Sequence, residues 1–257
     1  MNRMRPLVLL MSLVAVTAFA PQRRVTVWLI GDSTMADKPD PAHNPERGWG
    51  QALPEFLDSG AVVHNAARNG RSTKSFIAEG RWDSVRVQLA KGDYVLIEFG
   101  HNDEKVEDSL RFTNPYTGYR HNLERFVRES RAAGATPIVL TPIVRRSFNA
   151  HGVLVESHGA YPLVARDVAR DLGAGFIDLE ELTEALVTAA GPDGSKALYV
   201  YTSAGQFPAF PAARQDDTHL SPGGASAVAR LAAQALAALG GPLARHVVHA
   251  EPVARQN

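Results

Sequence analysis

Residues 25–36 read VTVWLIGDSTMA: six apolar or β-branched residues, then a run of glycine and short polar side chains. A continuous apolar run bounded by turn residues is the pattern of a strand buried on both faces, as in a parallel sheet. Gly31, Asp32, Ser33 and Thr34 then mark the strand's C-terminal end. In open α/β sheets ligands bind beyond those ends, where strand order reverses. Ser33 is therefore either a turn residue or a nucleophile, and six residues alone do not decide between them.

Outward from this stretch the pattern repeats. Residues 61–65, 93–99, 136–140 and 175–179 read as four more strands. Residues 48–57, 82–90, 119–133, 160–172, 180–190 and 222–239 read as helices between and after them. Gly134 and Gly173 stand where C-caps are expected. Alternation of this kind argues for an α/β fold: a parallel sheet covered by helices on both faces. Residues 112–118 and 199–214 read as long loops. One domain is expected over residues 21–240, with 241–257 as a flexible tail.

The chain has 257 residues, 45% hydrophobic and 21% charged, within the range of an ordinary globular protein. Lys+Arg and Asp+Glu both number 27, so no basic footprint for nucleic acid is present. The absence of cysteine removes disulfides, thiolate catalysis and Cys-ligated zinc. At the N-terminus Arg3 and Arg5 precede the apolar stretch PLVLLMSLVAVTAF (residues 6–19), and Ala18-Phe19-Ala20 offers a small-x-small cleavage site. This order predicts a secretory signal peptide over residues 1–20, hence a secreted or periplasmic protein. The apolar run falls short of the roughly 20 residues of a membrane span, and no later segment is apolar enough to be one. Oligomeric state is not readable.

Three strand ends carry chemistry. Ser33 follows the first. Asn65 to Ser72, with Gly70 and Arg71, follows the second. Gly100-His101-Asn102-Asp103 follows the third. In strand order 2-1-3-4-5, the first strand lies between the second and third. Ser33 is then flanked by the Gly70 turn and the Asn102 amide, the components of an oxyanion hole around a nucleophile. Serine needs an adjacent base. Of nine histidines, only His219 sits in a compact acid–base setting, Gln215-Asp216-Asp217-Thr218-His219-Leu220-Ser221-Pro222. Ser221 can N-cap the last helix with Pro222 at its first position, which pins His219 in a loop at a helix start. Asp216 can fold back onto the ring Nδ1, as the acid does in a Ser-His-Asp triad. Asp217 is the alternative orienting acid.

These blocks resemble the SGNH (GDSL-type) hydrolases, and GDSTMA, GWGQ (48–51), NGRSTKSF (69–76), EGRW (79–82), FGHND (99–103) and DDTHLSPGGA (216–225) are most similar to the rhamnogalacturonan acetylesterase group. The resemblance runs from about residue 25 to residue 239. It implies a three-layer α/β/α, flavodoxin-like fold with a five-stranded parallel sheet, and a serine esterase without metal or other cofactor. It implies Ser33 as nucleophile, His219 as base and then acid, and Asp216 as its orienter. The Ser33 and Gly70 N–H groups and the Asn102 side chain would form the oxyanion hole, and an acetylated polysaccharide or oligosaccharide would be the substrate. Broader activity on acetyl-xylan, small acetyl esters or lipid esters, and a non-catalytic carbohydrate-binding protein, remain as alternatives.

Other residues carry two readings each. Arg71, Trp82 and His101 are candidates for holding substrate. For Trp82 a core position serves equally well, and His101 can instead position its loop. Trp49 reads as core, Asp32 as a turn acceptor and Asp103 as a loop tie. Tyr116, Phe207 and Phe210 lie in the long loops, where exposed aromatics often serve binding. The remaining histidines show no metal-site spacing. A metallohydrolase assembled from Asp32, Asn102, Asp216 and His219 is the competing chemistry.

Overall fold

A computed structural model describes residues 23–250. The expected signal peptide and the last residues of the expected tail lie outside the described residues. In chain order the elements are β1 (Val25–Gly31), α1 (Trp49–Ala52), β2 (Ala61–Asn65), α2 (Thr73–Ala78), α3 (Arg81–Arg86), β3 (Tyr94–Glu98), α4 (Arg120–Ala132) and β4 (Thr136–Leu140). They continue with α5 (Tyr161–Leu172), β5 (Gly175–Ile177), α6 (Leu179–Gly194), β6 (Tyr199–Thr202), β7 (Arg214–Leu220), α7 (Pro222–Leu239) and α8 (Gly241–Ala244).

The five parallel strands order as β2-β1-β3-β4-β5, the expected arrangement. β1 and β3 are buried on both faces because alternate side chains point to opposite faces of a sheet. Val27, Leu29, Tyr94, Leu96, Ile138 and Leu140 face one core with Trp49, Leu179, Val187, Val228 and Leu236 of α1, α6 and α7. Trp28, Ile30, Val95, Ile97 and Val139 face the other, with Trp82, Phe126, Leu123, Val164 and Val168 of α3, α4 and α5. Three layers result, α/β/α.

α1 approaches the turn after β1 closely. Trp49 N–H donates to Thr34 O at 2.8 Å. A Cβ on Gly48 would stand 2.1 Å from Ala36 O, so only glycine allows that contact.

Two expectations are corrected. First, residues 199–214 are not all loop, and His219 is not in one. β6 and β7 form an antiparallel two-stranded sheet outside the main one, and Asp216 and His219 both lie on β7. Its sequence, RQDDTHL, is polar and poor in strand formers; pairing with β6 and packing over the sheet end hold it extended against that propensity. Second, residues 241–250 pack rather than fray. Leu243 is buried, Val247 bridges Leu57, and Val248 N–H donates to Phe56 O at 2.9 Å. These contacts run along the edge from which β2 starts. Arg23 lies at the same edge, where its guanidinium bonds Lys91 O and Asp93. Both ends of the described chain thus sit at the N-terminal ends of the strands. Among the described residues no helix is long and apolar enough to cross a membrane.

Candidate active site

The opposite edge gathers the predicted residues. Ser33 directly follows the Gly31-Asp32 end of β1. Across from it, β7 presents His219, with Nε2 2.9 Å from Ser33 Oγ and Nδ1 2.9 Å from Asp216 Oδ2. With the ring proton on Nδ1, facing the carboxylate, Nε2 is free to accept from the serine hydroxyl. Asp216 Oδ1 accepts the backbone N–H of Thr218 and of His219, at 3.0 and 2.9 Å, while Arg214 donates to Oδ2 at 2.9 Å. Partial burial alone would raise the Asp216 carboxyl. The donors around it, led by the His219 ring and backbone N–H, outweigh burial and hold it well below the usual carboxylate range. Asp217 faces away and pairs with Arg146 and Tyr201. Of the two aspartates, Asp216 is the one hydrogen-bonded to the His219 ring. Ser221 Oγ accepts Gly224 N–H at the start of α7, and Pro222 takes the first helical position, so the cap read from sequence fixes the end of β7.

The donor side is tied together by side-chain-to-backbone bonds. Asn102 Nδ2 donates to Arg71 O at 3.2 Å, linking the turn after β3 to the Gly70 turn after β2. Asn102 Oδ1 accepts from Arg111, which fixes which way the amide faces. Gly70 has φ +73°, a left-handed conformation that favours glycine. Asp103 acts as the expected loop tie, accepting from Thr73 N–H, Thr73 Oγ1 and Thr113 Oγ1.

Beneath Ser33 lies a fully buried cluster of Asp32, Glu98 and His101. Asp32 Oδ1 accepts from Thr34 N–H and Oγ1, the turn-acceptor role, and Oδ2 faces His101 Nδ1 at 3.4 Å. Burial opposes the Asp32 charge, but the His101 ring and the Thr34 donors overcome it and bring Asp32 down to about 2. Burial, followed by the Asp32 charge, pushes Glu98 up to about 8, and burial holds His101 down to about 4. At neutral pH Asp32 keeps the charge because Thr34 aims two donors at it, Glu98 carries a proton, and His101 is a neutral ring. The ligating atoms of the three lie within 4.8 Å of one another, close enough for a cation. Yet Glu98 Oε2 already accepts from Trp49 Nε1 and Oε1 from Ile143 N–H, and a carboxyl that holds its proton offers a cation no charge. The alternative metal set of Asp32, Asn102, Asp216 and His219 is divided among the buried cluster, the donor side and the acid–base strand.

Two of the three substrate-holding candidates are corrected. Trp82 is 0% exposed, stacked edge-on against Phe126, with Nε1 bonded to Glu129 on α4; it is core. His101 is 2% exposed, packed between Asp32 and the His158 ring, so it presents nothing to a ligand at the surface. Both fell to the same ambiguity, since polar-tipped aromatics look alike in sequence whether buried or at a rim. Arg71 stays at the rim, a third exposed, with its guanidinium on Glu79 and Asn69 O. Trp49 is core, as expected. Tyr116 is exposed, while Phe210 stacks under Arg214, next to Asp216. Two residues went unnoticed in the sequence: Arg111, on the Asn102 amide, and Lys38, whose Nζ meets Ser33 O, Asn69 Oδ1 and Glu46. Neither belongs to a recognisable spacing.

A serine, a histidine and an aspartate in a hydrogen-bonded line at the C-terminal edge of a parallel sheet form the arrangement of a serine-type ester hydrolase. Residues 29–227 match the model of the GDSL-like Lipase/Acylhydrolase family, and the chain belongs to that family; it is a carboxylic-ester hydrolase. It is 38% identical over 230 residues to the rhamnogalacturonan acetylesterase RhgT of Bacillus subtilis (strain 168), covering 90% of this chain and 97% of that one. It is 30% identical over 222 residues to the probable rhamnogalacturonan acetylesterase YesY of the same organism, covering 86% and 97%. Among solved structures, YXIM of Bacillus subtilis superposes with a TM-score of 0.72 at 27% identity, over 87% of this chain and 59% of that one. Axe2, an acetylxylan esterase from Geobacillus stearothermophilus, shares the fold with a TM-score of 0.58 at 18% identity, covering 84% and 96%.

Proposed function

We propose that the protein is an exported carbohydrate O-acetylesterase, acting on acetylated pectin of the rhamnogalacturonan type through a Ser33 acyl-enzyme. The observation that carries the mechanism is the continuous line from Asp216 Oδ2 through His219 to Ser33 Oγ, with both links at 2.9 Å. The substrate class is supported by the relatives named for it over nearly the whole chain. Export is supported by the basic, apolar and small-residue order of residues 1–20.

In this reading Ser33 Oγ attacks the acetyl carbonyl carbon as its proton passes to His219 Nε2. Asp216 stabilises the resulting imidazolium. The Ser33 and Gly70 N–H groups and Asn102 Nδ2 receive the negative charge that develops on the carbonyl oxygen. His219 returns the proton to the departing sugar oxygen, leaving acetyl on Ser33. Water then gives a proton to His219 and attacks the acyl carbon; acetate leaves and Ser33 recovers its proton.

The test is acetate release from acetylated rhamnogalacturonan and acetylated xylan in parallel, with Ser33→Ala as control and EDTA in one arm. Release from rhamnogalacturonan alone, abolished by Ser33→Ala and unaffected by EDTA, is expected. Equal release from both keeps the mechanism and removes the substrate assignment. Release that survives Ser33→Ala ends the acyl-enzyme reading. Export is tested by the mass of the protein recovered outside the cytoplasm, which should begin near residue 21.

A further inference from the structure

Lys38 is a buried cation five residues after the nucleophile, its side chain only 2% exposed. An ammonium group has three N–H donors, and all three are taken. Nζ donates to Ser33 O and to Asn69 Oδ1, each at 2.7 Å, and meets Glu46 Oε1 at 2.6 Å. The Lys38 backbone is itself clamped by one side chain: its N–H donates to Gln51 Oε1 and its carbonyl accepts from Gln51 Nε2, which accounts for the last residue of GWGQ.

The three acceptors belong to three different parts of the site. Ser33 O lies on the nucleophile turn. Asn69 immediately precedes Gly70, so holding Asn69 holds the peptide that carries the Gly70 N–H. Glu46 leads to Arg214 at 3.5 Å, and Arg214 to Asp216 Oδ2. Burying an ammonium is costly unless every donor is met, so the acceptors must keep fixed positions relative to one another. Backbone oxyanion donors work only when both lie about 2.7–3.1 Å from where the oxyanion forms.

We propose that Lys38 is a positioning residue that sets the spacing between the Ser33 and Gly70 N–H donors of the oxyanion hole. The role rests on the acyl-enzyme reading of Ser33. Lys38 touches no reacting atom; it acts by spanning the two turns that carry the donors. Its contribution is therefore realised in the transition state, when charge reaches the carbonyl oxygen, and not in binding the ground-state ester.

The experiment is steady-state hydrolysis of p-nitrophenyl acetate, a small neutral ester with no sugar contacts, by wild type, Ser33→Ala, Lys38→Met, Lys38→Met/Glu46→Gln and Asn69→Ala, each with a thermal midpoint. Lys38→Met is expected to lower kcat about 10²-fold, the scale of a roughly 1 Å misplacement, with KM within about threefold of wild type. Lys38→Met leaves the Glu46 carboxylate only its 3.5 Å contact with Arg214, so a fall in thermal midpoint is expected too. Adding Glu46→Gln removes that under-compensated charge and should recover most of the midpoint without recovering kcat, a split that an ion pair serving only stability would not produce. Asn69 is exposed, so Asn69→Ala folds in any case; it frees the other end of the bridge and should lower kcat about tenfold. Wild-type kcat in Asn69→Ala, or kcat returning with the midpoint in the double variant, overturns the proposal. A raised KM with kcat retained in Lys38→Met overturns it by making Lys38 a ground-state binding residue. Activity surviving Ser33→Ala instead breaks the acyl-enzyme reading, separately from anything Lys38 does.

Discussion

Replacing Asp216 with asparagine changes one atom, and its cost can be worked out from the contacts. The carboxylate accepts four hydrogen bonds: two backbone N–H groups on Oδ1, and His219 Nδ1 and Arg214 on Oδ2. If the asparagine carbonyl keeps the two backbone donors, its NH2 group faces both the His219 ring and Arg214. The ring must then present a lone pair at Nδ1, which moves its proton to Nε2, and Ser33 loses its base. If the amide turns over, the two backbone N–H groups lose their acceptor, at about 1–3 kcal/mol each. The first arrangement is cheaper, so the wrong tautomer should dominate. Loss of kcat/KM of about 10³–10⁴ is expected, about 4–5.5 kcal/mol of transition-state stabilisation. The assay is hydrolysis of p-nitrophenyl acetate, with Asp217→Asn in parallel. Asp217 pairs with Arg146 and Tyr201 away from the serine, so that variant should stay within about threefold of wild type in kcat/KM and lose about 1 kcal/mol in urea unfolding. Less than a tenfold loss in Asp216→Asn, or an equal loss in Asp217→Asn, would refute the assignment.

Three further expectations follow from the same contacts. Asn102→Ala removes one oxyanion donor and should lower kcat about 10²–10³-fold with little change in KM; unchanged kcat would remove Asn102 from the hole. Trp82→Ala empties a fully buried site on α3 and should cost about 3–5 kcal/mol in urea unfolding, with KM for acetylated oligosaccharide unchanged at a temperature where the variant stays folded; a raised KM would restore Trp82 as a sugar contact. Glu98 is raised from 4.5 to about 8 in the folded state by burial, so the native protein holds a proton there that the unfolded chain releases. Its contribution to stability is full below about pH 4.5 and falls as pH rises toward 8, at up to about 1.4 kcal/mol per pH unit. Glu98→Gln should flatten that part of the decline in urea midpoints between pH 5 and 9, and an unchanged slope would rule Glu98 out as its source.

Much of the fold was legible because its strands are written in the simplest code. β1, β3 and β4 are buried on both faces, so they read as unbroken apolar runs, and their order follows from the family's blocks. The acid–base strand was not legible. β7 is held by pairing to β6 and by Asp216 folding back on Thr218 and His219, while its own composition argues for a turn. Ser33, Asp216 and His219, which the fold joins in one hydrogen-bonded line, could be named because they stand at a strand end and a fixed spacing. Trp82 and His101 were misplaced as substrate contacts because burial depends on the elements that cover a residue, and a short motif does not record them. Lys38 and Arg111 act through contacts to residues 5 to 31 positions away, with no local pattern to mark them.

The placement of the chain's two described ends has a practical reach. Arg23 and the 247–248 segment both pack at the edge where the strands begin, and Ser33 stands at the edge where they finish. A resin, a reporter or a grafted module attached beside either would hold the protein by its base with the Ser33 edge facing outward. For a polymer too large to diffuse into a crowded support, that orientation decides whether an immobilised catalyst meets its substrate at all.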